Sequence, residues 1–109
     1  MTASKKPASA EQLVTILQAL SDPVRLELVR QLALEGEKAC GSFGIDMPKS
    51  SMSHHFTILR KSGLLSYEKK GSLTMNRLER DRVESTFPGL LESVLSAAQG
   101  GVKRNKRTK

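Results

Sequence analysis

The stretch Pro48–Leu65 reads PKSSMSHHFTILRKSGLL, and the rest of the chain is best understood around it. It predicts a helix from Lys49 to Ser62 stopped by Gly63, because a glycine just past the last turn supplies the left-handed conformation of a helix end. At about 100° per residue, Met52, His55, Phe56 and Leu59 share one face. Ser50, Ser53, His54, Thr57 and Lys61 share the opposite one. That second face holds no acid and no large apolar group, only short donors and acceptors with a base at its end. A helix that merely faces water usually mixes Glu with Lys at spacing four. This face is instead suited to something flat, polar and negative, and double-stranded DNA is the expected partner.

The charge distribution agrees. The chain has 109 residues and a net charge of +7, enough for one domain with a small core. Five bases lie in Lys103–Lys109 and two more are Lys5 and Lys6, which leaves eleven bases against eleven acids in residues 7–102. The body is neutral overall but uneven. Between Met47 and Leu78, six bases (Lys49, Arg60, Lys61, Lys69, Lys70 and Arg77) face Glu68 alone. Such clustering is the footprint of a phosphate-binding surface. No apolar run is long enough to span a bilayer and no secretory pattern is present, so no membrane partner is expected. Cys40 is the single cysteine, which excludes an intrachain disulfide and fits a reducing cytoplasm.

Read in order, residues 1–8 form a disordered arm, 9–99 a folded domain and 100–109 a basic disordered tail. A first helix is predicted over Ala10–Leu20, with Ser9 and Gln12 as a capping box and Leu13, Ile16, Leu17 and Leu20 as its apolar stripe. Asp22 caps a second helix, Pro23–Glu35, with the proline where a missing N–H costs nothing. Its broad apolar arc (Val24, Leu28, Val29, Leu32, Ala33) suits a central helix, and Gly36 ends it. The segment Glu37–Met47, rich in glycine, is expected to hold a turn or a short helix. Leu64–Lys69 and Leu73–Leu78 are strand-length runs around Lys70-Gly71-Ser72, a hairpin with lysines at its tip. Helical pattern resumes near Asp81 and breaks at Pro88, which is expected to begin a new helix capped by Thr86. That helix would carry Leu90, Leu91, Val94 and Ala98 on one stripe. Helices followed by a β-hairpin make a winged helix-turn-helix: mainly α, in the order α-α-(short α)-α-β-β-α, with the hairpin as the wing.

Two blocks now carry a family resemblance. Leu20-Ser21-Asp22-Pro23-Val24-Arg25-Leu26 is the first. Ser53-His54-His55-Phe56-Thr57-Ile58-Leu59-Arg60-Lys61-Ser62-Gly63-Leu64-Leu65 is the second, and the wing Lys69-Lys70-Gly71 also fits. Together they resemble the arsenic-repressor (ArsR) family of bacterial winged-helix regulators. The resemblance implies a homodimer joined through its first and last helices, which represses promoters and leaves DNA when an inducer binds. The dimer-interface candidates are then Leu13, Ile16, Leu17 and Leu20 with Leu90, Leu91, Val94 and Ala98. Two recognition helices separated by one turn of duplex, about 34 Å, would read a palindromic operator. The family's metal sites do not carry over. Where a Cys-x-Cys pair would stand the chain has Cys40-Gly41-Ser42, and Asp81–Gln99 contains neither His nor Cys. One thiolate is too few for a zinc site, so no metal and no cofactor is expected.

The DNA-binding candidates divide by chemistry. Ser50, Ser51, Ser53, His54 and Thr57 present short side chains to base edges or phosphates. Lys49, Arg60 and Lys61 are expected to position the helix on phosphates. Lys69, Lys70 and Arg77 either reach phosphates or the minor groove from the wing or simply protect a strand edge with charge. His55, beside the apolar face, is expected to be a half-buried, hydrogen-bonded scaffold residue. Cys40 is an inert boundary residue or, on a rival reading, the thiol of a redox-sensing repressor, which would require a lowered thiol pKa. A further rival has the polar helix face binding an acidic protein partner. No phosphate loop, nucleophile set or carboxylate pair supports an enzyme. The inducer is left open by the sequence.

Overall fold

Ser9 opens the described part of the structure, a computed structural model that describes residues 9–99; the N-terminal arm and the basic tail lie outside the described residues. Ser9 Oγ accepts from the Gln12 amide and Gln12 Oε1 accepts from the Ser9 amide, each at 3.0 Å, which starts helix α1, Ala10–Leu20. Helix α2, Pro23–Glu35, begins on Asp22, whose Oδ2 accepts from the Val24 and Arg25 amides at 2.9 and 3.0 Å. Gly36 ends it at φ 85°, a conformation that penalises any residue with a Cβ. Both starts are purely local devices, and each satisfies amides that the helix leaves without partners.

The next segment departs from expectation. The expected turn is the single 3-10 turn Cys40–Ser42, but it is preceded by strand β1, Lys38–Ala39, which was not expected. Helix α3, Lys49–Lys61, follows, then strands β2, Leu65–Lys70, and β3, Leu73–Leu78. The sheet order is β1-β3-β2, antiparallel throughout, with Lys38 opposite Asn76 and Leu65 opposite Leu78. A two-residue strand has no readable alternation, and only β3's open edge makes it a strand. The wing turn has Gly71 at φ 64° directly after Lys70, the positive-φ first position that a two-residue type II′ connection requires.

After β3, helix α4, Arg80–Thr86, and helix α5, Leu90–Ala97, are separate. The break at Pro88 is present, but the new helix starts two residues later than expected and Thr86 does not cap it. Thr86 Oγ1 donates to the Arg82 carbonyl at 2.9 Å, and Gly89, at φ 85°, leads into α5. A left-handed glycine there turns the chain more sharply than a proline at the first helical position.

The core is centred on α2, which packs against α1, α3 and β3. Leu28 and Val29 of α2, Leu59 of α3 and Leu64 are fully buried, joined by Ile16, Leu20, Phe56, Leu65, Val83 and Leu91. Each such side chain contributes about 1.5–3 kcal/mol by leaving water. This burial corrects part of the expected dimer interface. Ile16, Leu20, Leu91 and Ala98 are buried by their own chain, at 6%, 7%, 1% and 8% exposure, and are unavailable to a partner. Leu13, Leu90 and Val94 are half-buried. The apolar side chains that α1 leaves in water are Leu17, at 44% exposure, and Val14, at 50%.

Candidate nucleic-acid interface

Helix α3 turns Phe56 and Leu59 into the core and presents Lys49, Ser50, Ser53, His54, Thr57 and Lys61 on its exposed side, with Ser51 half-buried. No acid is among them. The start of α3 adds to the positive character of this face. Its N-cap is Pro48, no side chain caps the first turn, and no acid lies in it. The Ser51 amide donates to the Pro48 carbonyl at 3.0 Å, and the amides of Lys49 and Ser50 ahead of it suit an anion such as a phosphate, in the direction the helix dipole favours.

Two contacts hold the helix in this attitude. Arg25, in the first turn of α2, donates from Nε to the Ala19 carbonyl at 2.7 Å and from Nη2 to the Gln18 carbonyl at 3.2 Å. Its Nη1 lies 3.1 Å from His55 Nδ1. A guanidinium can only donate, so Nδ1 accepts and the ring proton sits on Nε2. His55 is half-buried, its Nδ1 3.8 Å from Asp22 Oδ2. One arginine thus ties the end of α1 and the start of α2 to the middle of α3.

The second contact corrects the expected role of Arg60. Its guanidinium does not face outward to phosphate. Nη2 donates to Asn76 Oδ1 at 2.7 Å, the group lies 4.2 Å from the Tyr67 ring centroid and 5.4 Å from that of Phe56, and Nε is buried without a partner. Asn76, on β3, is completely buried and is the one polar residue in the core among the described residues. Its Nδ2 donates to Cys40 Sγ at 3.2 Å, while Arg60 Nη2 approaches the same sulfur at 3.6 Å. Arg60 is a strut from α3 to the wing. Sequence reading missed Asn76 and Tyr67, although an asparagine within a strand, where that residue is disfavoured, was a usable signal.

At the wing, Lys69 and Lys70 are exposed, as is Arg77. Lys70 Nζ lies 3.6 Å from Glu37 Oε1, and Arg77 lies 3.9 Å from Glu37 and 3.8 Å from Glu79. The basic stripe is therefore partly neutralised by an acid from outside the stretch in which it was counted, brought alongside by the pairing of β1 with β3. Among the described residues no three His, Cys, Asp or Glu side chains gather as a metal site, and no helix is long and apolar enough to cross a membrane. The donors to Cys40 are the Asn76 amide and the Arg60 guanidinium.

Known proteins share this sequence pattern and fold. The family model for bacterial regulatory proteins of the arsR family matches residues 22–67, from the α2 cap through α3 into β2. YceK of Bacillus subtilis (strain 168), described as an uncharacterised HTH-type transcriptional regulator, is 35% identical over 82 residues, covering 72% of this chain and 82% of its own. A crystallised ArsR family transcriptional regulator superposes with a TM-score of 0.65 at 26% identity, over 87% of this chain and 94% of its own. The transcriptional repressor BigR from Xylella fastidiosa does so with a TM-score of 0.57 at 28% identity, over 72% and 88%. The chain belongs to the ArsR family of bacterial regulatory proteins: it is a transcriptional regulator with a DNA-binding winged helix-turn-helix.

Proposed function

We propose that this regulator is a sequence-specific repressor, acting in the cytoplasm as a homodimer on a palindromic operator and released by a signal. The observation that carries this reading is the outer face of α3. It has an uncapped N-terminus and six exposed side chains without an acid, and Lys69 and Lys70 stand on the wing that follows. Ser50, Ser51, Ser53, His54 and Thr57 meet base edges or phosphates in the major groove, Lys49 and Lys61 hold phosphates, and the wing lies along the backbone. Val14 and Leu17, with the half-buried Leu13, Leu90 and Val94, supply the apolar surface between protomers. Two protomers then present equivalent helices about 34 Å apart. The test is fluorescence anisotropy with a labelled duplex from the upstream region and a scrambled duplex, each at several salt concentrations. Preference for the upstream duplex that survives added salt supports repression. Equal affinity for both removes sequence specificity, and no affinity for either leaves the acidic-protein partner as the better reading.

One observation favours a second reading of the signal. Cys40 Sγ touches both Asn76 and Arg60, so its oxidation would alter a contact that reaches the recognition helix. A hydroperoxide would convert the thiol to a sulfenic acid with release of water or alcohol. Operator affinity of wild type and Cys40→Ser, with and without hydrogen peroxide, decides it: a drop confined to oxidised wild type supports the redox reading, and equal affinities remove it.

A further inference from the structure

A cavity of about 370 Å³ opens where α1, the C-terminal end of α3 and α4 meet. Its floor is apolar, made by Ile16, Val83 and Phe87, and its walls carry Lys61, Arg82 and Gln12. No Asp or Glu lines it. Among the described residues neither Lys61 nor Arg82 has an acid within ion-pair distance. Two acids of this part of the chain are engaged with other groups: Glu79 accepts from Ser66 Oγ, and Glu84 accepts from the Gly89 amide. Gln12 Oε1 is taken by the Ser9 amide, which leaves its NH₂ group free to donate into the cavity. The C-terminal end of α3 brings a partial negative charge here. Lys61, in the last turn, offsets it, and Arg82 then leaves the site net positive.

We propose that this cavity is the site of a small organic anion that regulates DNA binding: one carboxylate or phosphate held by Lys61, Arg82 and Gln12, on a short apolar body resting against Ile16, Val83 and Phe87. The volume lies at the lower end of the usual range for small-molecule sites, which limits the body to about one ring or a short chain. Both cations are exposed, and with no acid lining the cavity they favour an anion over a neutral or cationic ligand. The link to DNA is Lys61, which belongs both to the cavity and to the exposed face of α3. An anion there engages Lys61 and sets a negative charge against the approaching phosphate backbone, so the ligand and the duplex oppose each other. By linkage, each weakens the other by the same factor.

The proposal rests on α3 being the DNA-reading helix, and the experiment separates the two ideas. Benzoate, phenyl phosphate and neutral benzamide are titrated into the full-length protein without DNA, and backbone amide shifts are followed by NMR. Saturable shifts centred on Ser62, Gly63 and Val83 with the two anions, weakened at least tenfold for benzamide and in Arg82→Gln, are expected. Absence of such shifts with either anion, equal binding of benzamide, or unchanged binding in Arg82→Gln would overturn the site. Separately, saturating benzoate should weaken duplex binding by about fivefold or more, a usual size for coupled sites, in wild type but not in Arg82→Gln, whose own duplex affinity stays unchanged. Binding of the anion with no effect on duplex affinity removes the regulatory part alone. Failure to bind any duplex, with the NMR shifts intact, contradicts the reading of α3 and leaves the anion site standing.

Discussion

Arg60 Nη2 and Asn76 Oδ1 meet at 2.7 Å, with the Arg60 guanidinium 4.2 Å from the Tyr67 ring centroid, and this bond joins α3 to the wing. A fully buried amide and a guanidinium with few other partners are each expensive to leave alone. Asn76→Ala should lower the unfolding free energy by about 2–3 kcal/mol, the range for a hydrogen bond to a charged group together with an exposed partner. Arg60→Ala combined with Asn76→Ala should cost less than the sum of the two single changes. Urea denaturation of the four proteins measures this, and strict additivity would show that the contact carries no energy.

The same geometry distinguishes a strut from a phosphate contact. An arginine that neutralises one phosphate contributes about 0.9 to the slope of log affinity against log salt. Arg60→Ala should weaken duplex binding without changing that slope, because the side chain faces Asn76 and Tyr67. Lys70→Ala should flatten it. His54→Ala should reduce discrimination between upstream and scrambled duplexes while leaving the slope alone. Identical behaviour of Lys70→Ala and His54→Ala would defeat the division of labour between wing and helix.

Glu37 sits 3.6 Å from Lys70 and 3.9 Å from Arg77, where it pairs with two wing cations. Glu37→Gln should therefore raise affinity for all duplexes alike by about two- to fivefold, the size of a partly exposed ion pair. A change confined to the upstream duplex would mean that the wing reads sequence rather than charge.

The α1 stripe divides in the same testable way. Leu17→Glu places a charge on a side chain left in water by its own chain, and sedimentation should show a monomer that keeps its fold. Ile16→Ala, in the core, should instead cost about 2–4 kcal/mol of stability while the remaining folded protein stays dimeric. A dimer unaffected by Leu17→Glu would move the interface off α1.

Much of the fold was legible because its determinants are local. The Ser9–Gln12 capping box, the Asp22 cap with Pro23 behind it, Gly36, and the wing glycine each act within a few residues, where spacing alone identifies the partner. The exposed face of α3 was legible for a similar reason: helical periodicity separates Phe56 and Leu59 from Ser50, His54 and Thr57 without any knowledge of neighbours. What the sequence by itself determined was therefore the order of the helices and the hairpin, the winged helix and the acid-free outer face of α3.

The tertiary structure decided the rest. Arg60 lies on the boundary between the two faces of α3, and periodicity assigns it to neither. Its direction follows from Asn76 and Tyr67 on the wing, and the wing's position is a long-range matter. Strand β1 exists only because β3 offers an open edge, and that pairing carries Glu37 to Lys70 and Arg77. Ile16, Leu20, Leu91 and Ala98 looked like partner-facing residues on their own helices but are buried by neighbouring elements of the same chain. A side chain's type and spacing say that it wants burial or a counter-charge. Which group provides it depends on residues far away in the chain, and only their packing settles that.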